Sequence, residues 1–313
     1  MAGWQWQWHD DLTLASMAGE MTEELVAQFR AKLAETPRVK GGALFEPEAL
    51  QSMSNSDCRR FLCARDGRLD AAVEMARAAL DWRLRVRPGH ITPEDIPISL
   101  PQGCWRFAGW ARDGRPIMLI RAELWRPNEY TCDEYNKYVG YMMDNNIARA
   151  KKGVDKQIVI FDMHGFSALQ SNLTMIRTLI TINQEYYPER LSLGVLVNVP
   201  WLFHAIWKVI YPWIDHKTRT KIKLLGRNDN IADILLEHID ADVLGVEYGG
   251  RRKEPYPIPP TPDTCTSDSS TAPATAPHPG GSGAGGIDTE TEGGEPTWRP
   301  AQGGPFQTSA VSQ

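Results

Sequence analysis

The sequence predicts an α/β protein in which a small N-terminal helical domain packs on a larger domain with a mostly parallel sheet. Three observations point that way. Short apolar runs at 117–120, 157–162, 193–199 and 222–225 read as strands, and the segments between them are long enough for helical crossovers. The chain ahead of the first run carries helical periodicity alone. Finally, 313 residues with 42% apolar and 23% charged side chains can bury one large core or two small ones.

Element by element, residues 23–33 read as a helix. Leu69, Val73, Ala76, Leu80 and Leu84 then form an apolar stripe at helical spacing, with Asp70 as a first-turn acid. Asp113-Gly114-Arg115-Pro116 is a turn leading into the first strand. Residues 131–150 are expected to be helical, followed by the strand 157–162 and a turn at Gly165. Leu169, Leu173, Ile176, Ile180 and Tyr187 mark the next helix, which stops before Pro188. The expected organisation is an arm over 1–19, a helical domain over 20–85, an α/β domain over 86–250 and a disordered tail over 251–313.

Composition narrows the function classes. The net charge of −5 argues against broad attraction to nucleic acid. Five cysteines without a C-x-x-C pair suggest reduced thiols in a cytoplasmic protein. No apolar run approaches the ~20 residues of a membrane span, and Met1 to Asp10 does not read as a secretory signal. Of 22 prolines, 11 fall in residues 255–313 together with nine glycines, the composition of a chain too poor in apolar groups to fold. Gly281, Gly283 and Gly286 match G-x-G-x-x-G there, but without the strand and helix a dinucleotide loop requires. Trp4, Trp6 and Trp8 either tuck onto the domain or meet a membrane interface.

The most informative stretch runs from Asn198 to Lys223. At about 100° per residue, Leu202, Phe203, Ile206, Trp207, Val209 and Ile210 cover one arc, with His204 and Lys208 opposite. Pro200 starts this helix and Pro212 bends or ends it. His216, Lys217, Arg219, Lys221 and Lys223 follow at once. The stretch is either a core helix with a solvated charged turn, or a movable apolar helix beside a basic rim suited to a lipid tail and an anionic headgroup. Arg149, Lys151 and Lys152 form a second cationic group, a solvated helix end or a docking patch.

Seven blocks in order resemble the CRAL-TRIO family, which includes the fungal phosphatidylinositol transfer proteins. They are Arg59 to Arg65 (R-F-L-R-A-R), the helix 69–83 ending in W-R, Asp113 to Pro116 (D-G-R-P), Ile158 to Gly165 (I-x-D-x-x-G), Tyr186 to Arg190 (Y-Y-P-E-R), Asn198 to Trp201 (N-x-P-W) and Glu247 to Gly250. The resemblance implies a CRAL-TRIO lipid-binding domain with an apolar pocket and a gate helix over residues 201–214. It implies that Arg65, Glu189, Thr218 and Lys221 hold a phosphoinositide headgroup, while Trp201, Leu202, Phe203, Ile206, Trp207, Ile210 and Trp213 form the gate and apolar lining. Cations can neutralise a phosphodiester, and a carboxylate accepts from inositol hydroxyls. Gln157 and Val159 stand where phosphatidylcholine-exchanging members carry Ser and Thr, and Cys63 and Asp66 replace usual basic residues.

No G-x-S-x-G elbow, P-loop or H-E-x-x-H occurs, His164 lacks a nucleophile beside it, and the other histidines lack ligand spacing. The expectation is a non-enzyme without cofactor or metal. It would act as a monomer that binds and transfers one phospholipid, phosphatidylinositol first, touching membranes transiently and binding no nucleic acid. The alternative is a sensor or scaffold for a sterol, tocopherol or retinoid type of ligand. Enclosing two chains of roughly sixteen carbons hides apolar surface worth on the order of 25 kcal/mol against water, which is why a gate is needed.

Overall fold

Among the described residues, three α-helices form ahead of the first strand: α1 (Glu23–Glu35), α2 (Asn55–Ala64) and α3 (Leu69–Val86). The computed structural model describes residues 22–35, 53–167, 170–227 and 229–258. The tryptophan arm, Leu169, Cys265 and the Gly281–Gly286 motif lie outside them. Ser54 and Asp57 start α2 with a reciprocal capping box. The three helices bury Phe29, Leu33, Phe61, Leu62, Val73 and Ala76 against one another. Asp70 opens α3 and pairs with Lys32 of α1.

The stripe expected on α3 turns partway along. Leu84 is exposed and Trp82 is buried. The early turns of α3 face α1 and α2, whereas its last turns face Tyr186 and Tyr187, so the buried side rotates with the change of neighbour.

Among the described residues five strands follow: β1 (Trp105–Trp110), β2 (Pro116–Arg121), β3 (Gln157–Asp162), β4 (Leu191–Val199) and β5 (Ile222–Gly226). They lie side by side in sequence order, with β1 antiparallel to β2 and every other neighbour parallel. β1 is absent from the sequence expectation. Gly109, at φ 95°, and an irregularity between Phe107 and Trp110 break its alternation. The signal available was the Asp-Gly turn, which joins two strands as readily as it starts one.

Sheet order decides where the helices go. Parallel crossovers share one hand, so strands laid down in sequence order put their connecting helices on one face. α4 (Cys132–Ile147), α5 (Leu173–Thr181), α6 (Phe203–Ile210) and α7 (His216–Thr220) are the connections. Met118 and Val159 pack with α4, and Leu196 packs with α6. The alternate residues Ile117, Leu119, Ile158, Ile160, Val195 and Val197 face the other way, where α8 (Ile231–Leu236) and residues 239–256 cover them.

The ordered chain passes the expected boundary at 250. Tyr256 is buried, its hydroxyl accepts from Gly245 N at 2.5 Å, and Pro257 O accepts from Phe107 N on β1. An edge strand with unpaired backbone groups is thereby covered, which composition alone does not reveal.

The sequence blocks meet as locks. Asp162 Oδ1 accepts from Asn198 Nδ2 at 2.8 Å and from His164 N at 3.0 Å, while Oδ2 accepts from Tyr248 OH at 2.8 Å. Trp82 stacks on Tyr186 with centroids 4.8 Å apart and meets Tyr187 edge-on. Tyr187 OH donates to Asp144 Oδ1, and Asp144 pairs with Arg83. Asp57 and Asp155 hold Arg60 and Arg190, tying α2 to the start of β4.

Candidate functional site

Between the helix-covered face of the sheet and helices α5 and α6 lies a cavity of ≈ 270 Å³. Met118, Val159, Phe161 and Leu196 line its sheet side, and Ile176, Ile180, Phe203 and Ile210 its helix side. An irregularity where β4 begins lets both Leu191 and Gly194 face the cavity. Gly194 leaves the sheet surface low there, because a Cβ at that position would meet Ile222 only at 3.5 Å.

Arg65, Glu189, Thr218 and Lys221 come from three separate regions of the chain and all line one end of this cavity. Lys221 Nζ donates to Glu189 Oε2 at 2.8 Å, with both side chains 9% exposed. Glu189 holds φ at 56°, a left-handed conformation costing a non-glycine residue about 1–2 kcal/mol, which its surroundings must offset. Thr218 sits in α7, whose first turn is capped by Asp215 accepting from Thr218 N at 2.8 Å. Arg65 follows α2 and donates to Glu185 Oε2 at 2.7 Å, not to Glu189.

Glu185 escaped the sequence reading, as did Gln184. Both stand in a π-helical turn, Ile182–Tyr186, that continues α5. Such turns are rare and often line functional sites. Gln184 Nε2 donates to Trp213 O at 3.0 Å, and its Oε1 accepts from Asp215 N at 2.6 Å, so it grips the chain just beyond α6. The available signal was two polar residues one helical turn ahead of Glu189.

Of the expected gate residues, Phe203, Trp207 and Ile210 line the cavity. Ile206 and Trp213 are partly buried against the adjoining apolar cluster, and Leu202 is half-buried. Trp201 is 84% exposed and turned outward. Val209 is 46% exposed, so the arc read from the sequence is wider than the face that packs. α6 ends at Ile210, and Pro212 lies in the 3₁₀ turn Tyr211–Trp213 that follows.

The five-cation cluster also divides. Lys217 and Lys221 line the cavity, whereas the Arg219 guanidinium lies 4.3 Å from the Tyr211 ring centre and His216 is exposed. Lys223 alternates with cavity-lining Ile222 and so faces the opposite side of the sheet. Lys217 donates to Asp66 at 2.6 Å and to Cys63 O at 2.5 Å. The Lys217 hydrogen bond holds the Asp66 carboxyl below the usual range. Lys151 lies over Trp110 and Arg149 over Phe107, beside β1 and away from the polar end.

Val159 lines the cavity, while Gln157 turns beneath α4, its Oε1 accepting from Asn146 Nδ2 at 2.6 Å. Cys104 also lines the cavity, and burial pushes its thiol up to about 12. His164 is largely exposed, 3.3 Å from Glu123. Among the described residues no group of three or more His, Cys, Asp or Glu is placed to hold a metal, and no helix is long and apolar enough to cross a membrane.

The sheet is sequential and mostly parallel, and the helices on one face enclose a largely apolar hollow. Residues 101–250 match the family model of the CRAL/TRIO domain. The chain is 28% identical over 200 residues to CRAL-TRIO domain-containing protein C3H8.02 of Schizosaccharomyces pombe, the match covering 61% of this chain and 44% of that protein. It is 27% identical over 208 residues to phosphatidylinositol transfer protein CSR1 of Eremothecium gossypii, covering 61% and 46%. SEC14 cytosolic factor of the same organism is 27% identical over 257 residues, covering 76% and 80%. The chain thus spans less than half the length of the first two relatives. The crystal structure of Sfh5 shares the fold at a TM-score of 0.53 and 17% identity, covering 79% of this chain and 91% of that one.

Proposed function

We infer that this protein encloses one phospholipid, phosphatidylinositol first, and carries it between membranes. The carrying observation is that Arg65, Glu189, Thr218 and Lys221, distant in sequence, line the same end of an otherwise apolar cavity. Acyl chains would lie between the sheet and α5–α6, with the phosphodiester at Arg65 and Lys221 and inositol hydroxyls at Glu189 and Thr218. The relatives named as phosphatidylinositol transfer proteins support the same ligand class.

In this reading α6 is the gate. Its inner residues Phe203 and Ile210 close the cavity, while Trp201 faces outward, as an indole meeting a headgroup layer would. The helical domain is residues 20–85 and the lipid domain begins near 86. The protein works as a cytoplasmic monomer with transient membrane contact, and catalysis plays no part. With Val159 in place of a hydroxyl, phosphatidylcholine lacks a phosphate donor on β3.

A transfer assay between vesicles tests this. Ile206→Asp and Lys221→Ala should each abolish phosphatidylinositol transfer, and retained transfer in both would refute it. A neutral ligand of sterol, tocopherol or retinoid type is the second reading, favoured by the pairing of Arg65 and Lys221 with carboxylates. Lipid extracted from purified protein separates the two.

A further inference from the structure

Resting on the phospholipid reading, we propose that Glu185 sets the headgroup class as a displaceable counter-ion of Arg65, making room for one phosphodiester charge and no more. Four cations line the polar end of the cavity, and each is matched by a carboxylate: Arg65 by Glu185, Lys217 by Asp66, Lys221 by Glu189 and Arg190 by Asp57. Asp215 also lines the cavity, so the free site holds no excess of positive charge. An anionic headgroup enters only by replacing one of these carboxylates.

The four pairs differ in how readily they part. Lys221 and Glu189 are too buried for either charge to be left alone. Asp57 is held by Arg60 and by Ser54 as well as by Arg190. Lys217 is fixed towards the end of α2 by Cys63 O in addition to Asp66. Among the described residues Asp66 is 58% exposed and also has a single ion-pair partner, but its Lys217 stays bound to Cys63 O. Glu185 is 39% exposed with a single ion-pair partner among the described residues, and its Arg65 otherwise donates only to Ala64 O at 3.4 Å. Glu185 can swing into water, where a carboxylate is well solvated and an exposed pair loses little.

The guanidinium released in this way presents a fork of N–H donors that suits two phosphate oxygens. One carboxylate leaves, one phosphodiester arrives, and the charge of the site is unchanged. A phosphorylated inositol brings roughly two further negative charges, which would meet Glu189 and Asp215, while among the described residues the cavity's other cations are already paired.

The test uses the full chain, incubated with phosphatidylcholine vesicles holding equal amounts of phosphatidylinositol and phosphatidylinositol 4-phosphate. The re-isolated protein is then analysed for bound lipid by mass spectrometry. Wild type should carry phosphatidylinositol in about tenfold excess or more, since the added phosphomonoester charge is refused. Glu185→Gln, which leaves Arg65 uncompensated, should raise total inositol-lipid loading and shrink that excess severalfold. Equal loading of both lipids by wild type, or an unchanged excess in Glu185→Gln, would overturn the assignment of Glu185. Wild type carrying no inositol lipid at all would instead remove the phospholipid reading beneath it.

Discussion

Lys221 Nζ stands 2.8 Å from Glu189 Oε2, the two side chains are nine-tenths buried, and Glu189 adopts φ 56° to be there. A buried pair is costly to break and cheap to replace whole. Glu189→Gln should therefore destabilise the protein by about 3 kcal/mol in urea unfolding, since it leaves an ammonium buried without a counter-ion. The double variant Lys221→Met/Glu189→Leu should return to within about 1 kcal/mol of wild type and still bind no inositol lipid. Recovery of stability without recovery of binding separates the pair's function from its packing.

The two faces of α6 should behave in opposite ways. Phe203, 5% exposed and edge-on to Phe166 at 5.6 Å, should lose about 3 kcal/mol on Phe203→Ala. Trp201→Ala, at an 84% exposed position, should leave the melting temperature nearly unchanged and weaken sedimentation with anionic vesicles.

Acid should loosen the junction between α2 and β4. Burial opposes ionisation of Asp57, yet Arg60, the Ser54 hydroxyl and backbone N–H, and Arg190 outweigh it and hold the carboxyl below its ordinary range. A carboxyl with a depressed folded value contributes stability above its unfolded value near 3.9, and that stability is lost as pH falls through the folded value. Asp57→Asn should cost about 2 kcal/mol at pH 7, with the gap to wild type closing as pH falls below the unfolded value near 3.9. Urea midpoints across that range measure it.

Gly194 offers a way to fill the cavity without disturbing the fold. Its Cβ site has ordinary contacts to Ile222 and Leu191, and the larger side chain of Gly194→Leu would project from the sheet into the hollow. Bound lipid should fall sharply in extraction assays, while stability shifts by about 1 kcal/mol or less.

The parallel strands and helices α1, α3, α4, α5 and α6 were legible because their signals are local. Apolar runs at 157–162 and 193–199, and the Pro188 stop, lie within a few residues of what they specify. β1 was not legible, because Gly109 interrupts its alternation. Nor was the ordered segment 251–258, whose place depends on an edge strand some 150 residues earlier. Within the site, Arg65 and Glu189 came from matching blocks, and Thr218 and Lys221 from their place after the gate helix, but which carboxylate meets which cation is a tertiary fact. Asp66 read as a loss of positive field, and its bond to Lys217 became visible only once α7 was seen beside the end of α2. Val209 and Leu84 mark the limit of periodicity, which gives a helix an apolar side without saying how much of it a neighbour covers.

Native mass spectrometry of the purified full chain, with its bound lipid fragmented for identification, bears on all of this at once. Wild type should release one phosphatidylinositol per protein, and Lys221→Met/Glu189→Leu should release none while remaining folded. A wild-type chain that carries only a neutral ligand, or a double variant that keeps its phosphatidylinositol, would show that the polar end of the cavity does not hold a phospholipid headgroup.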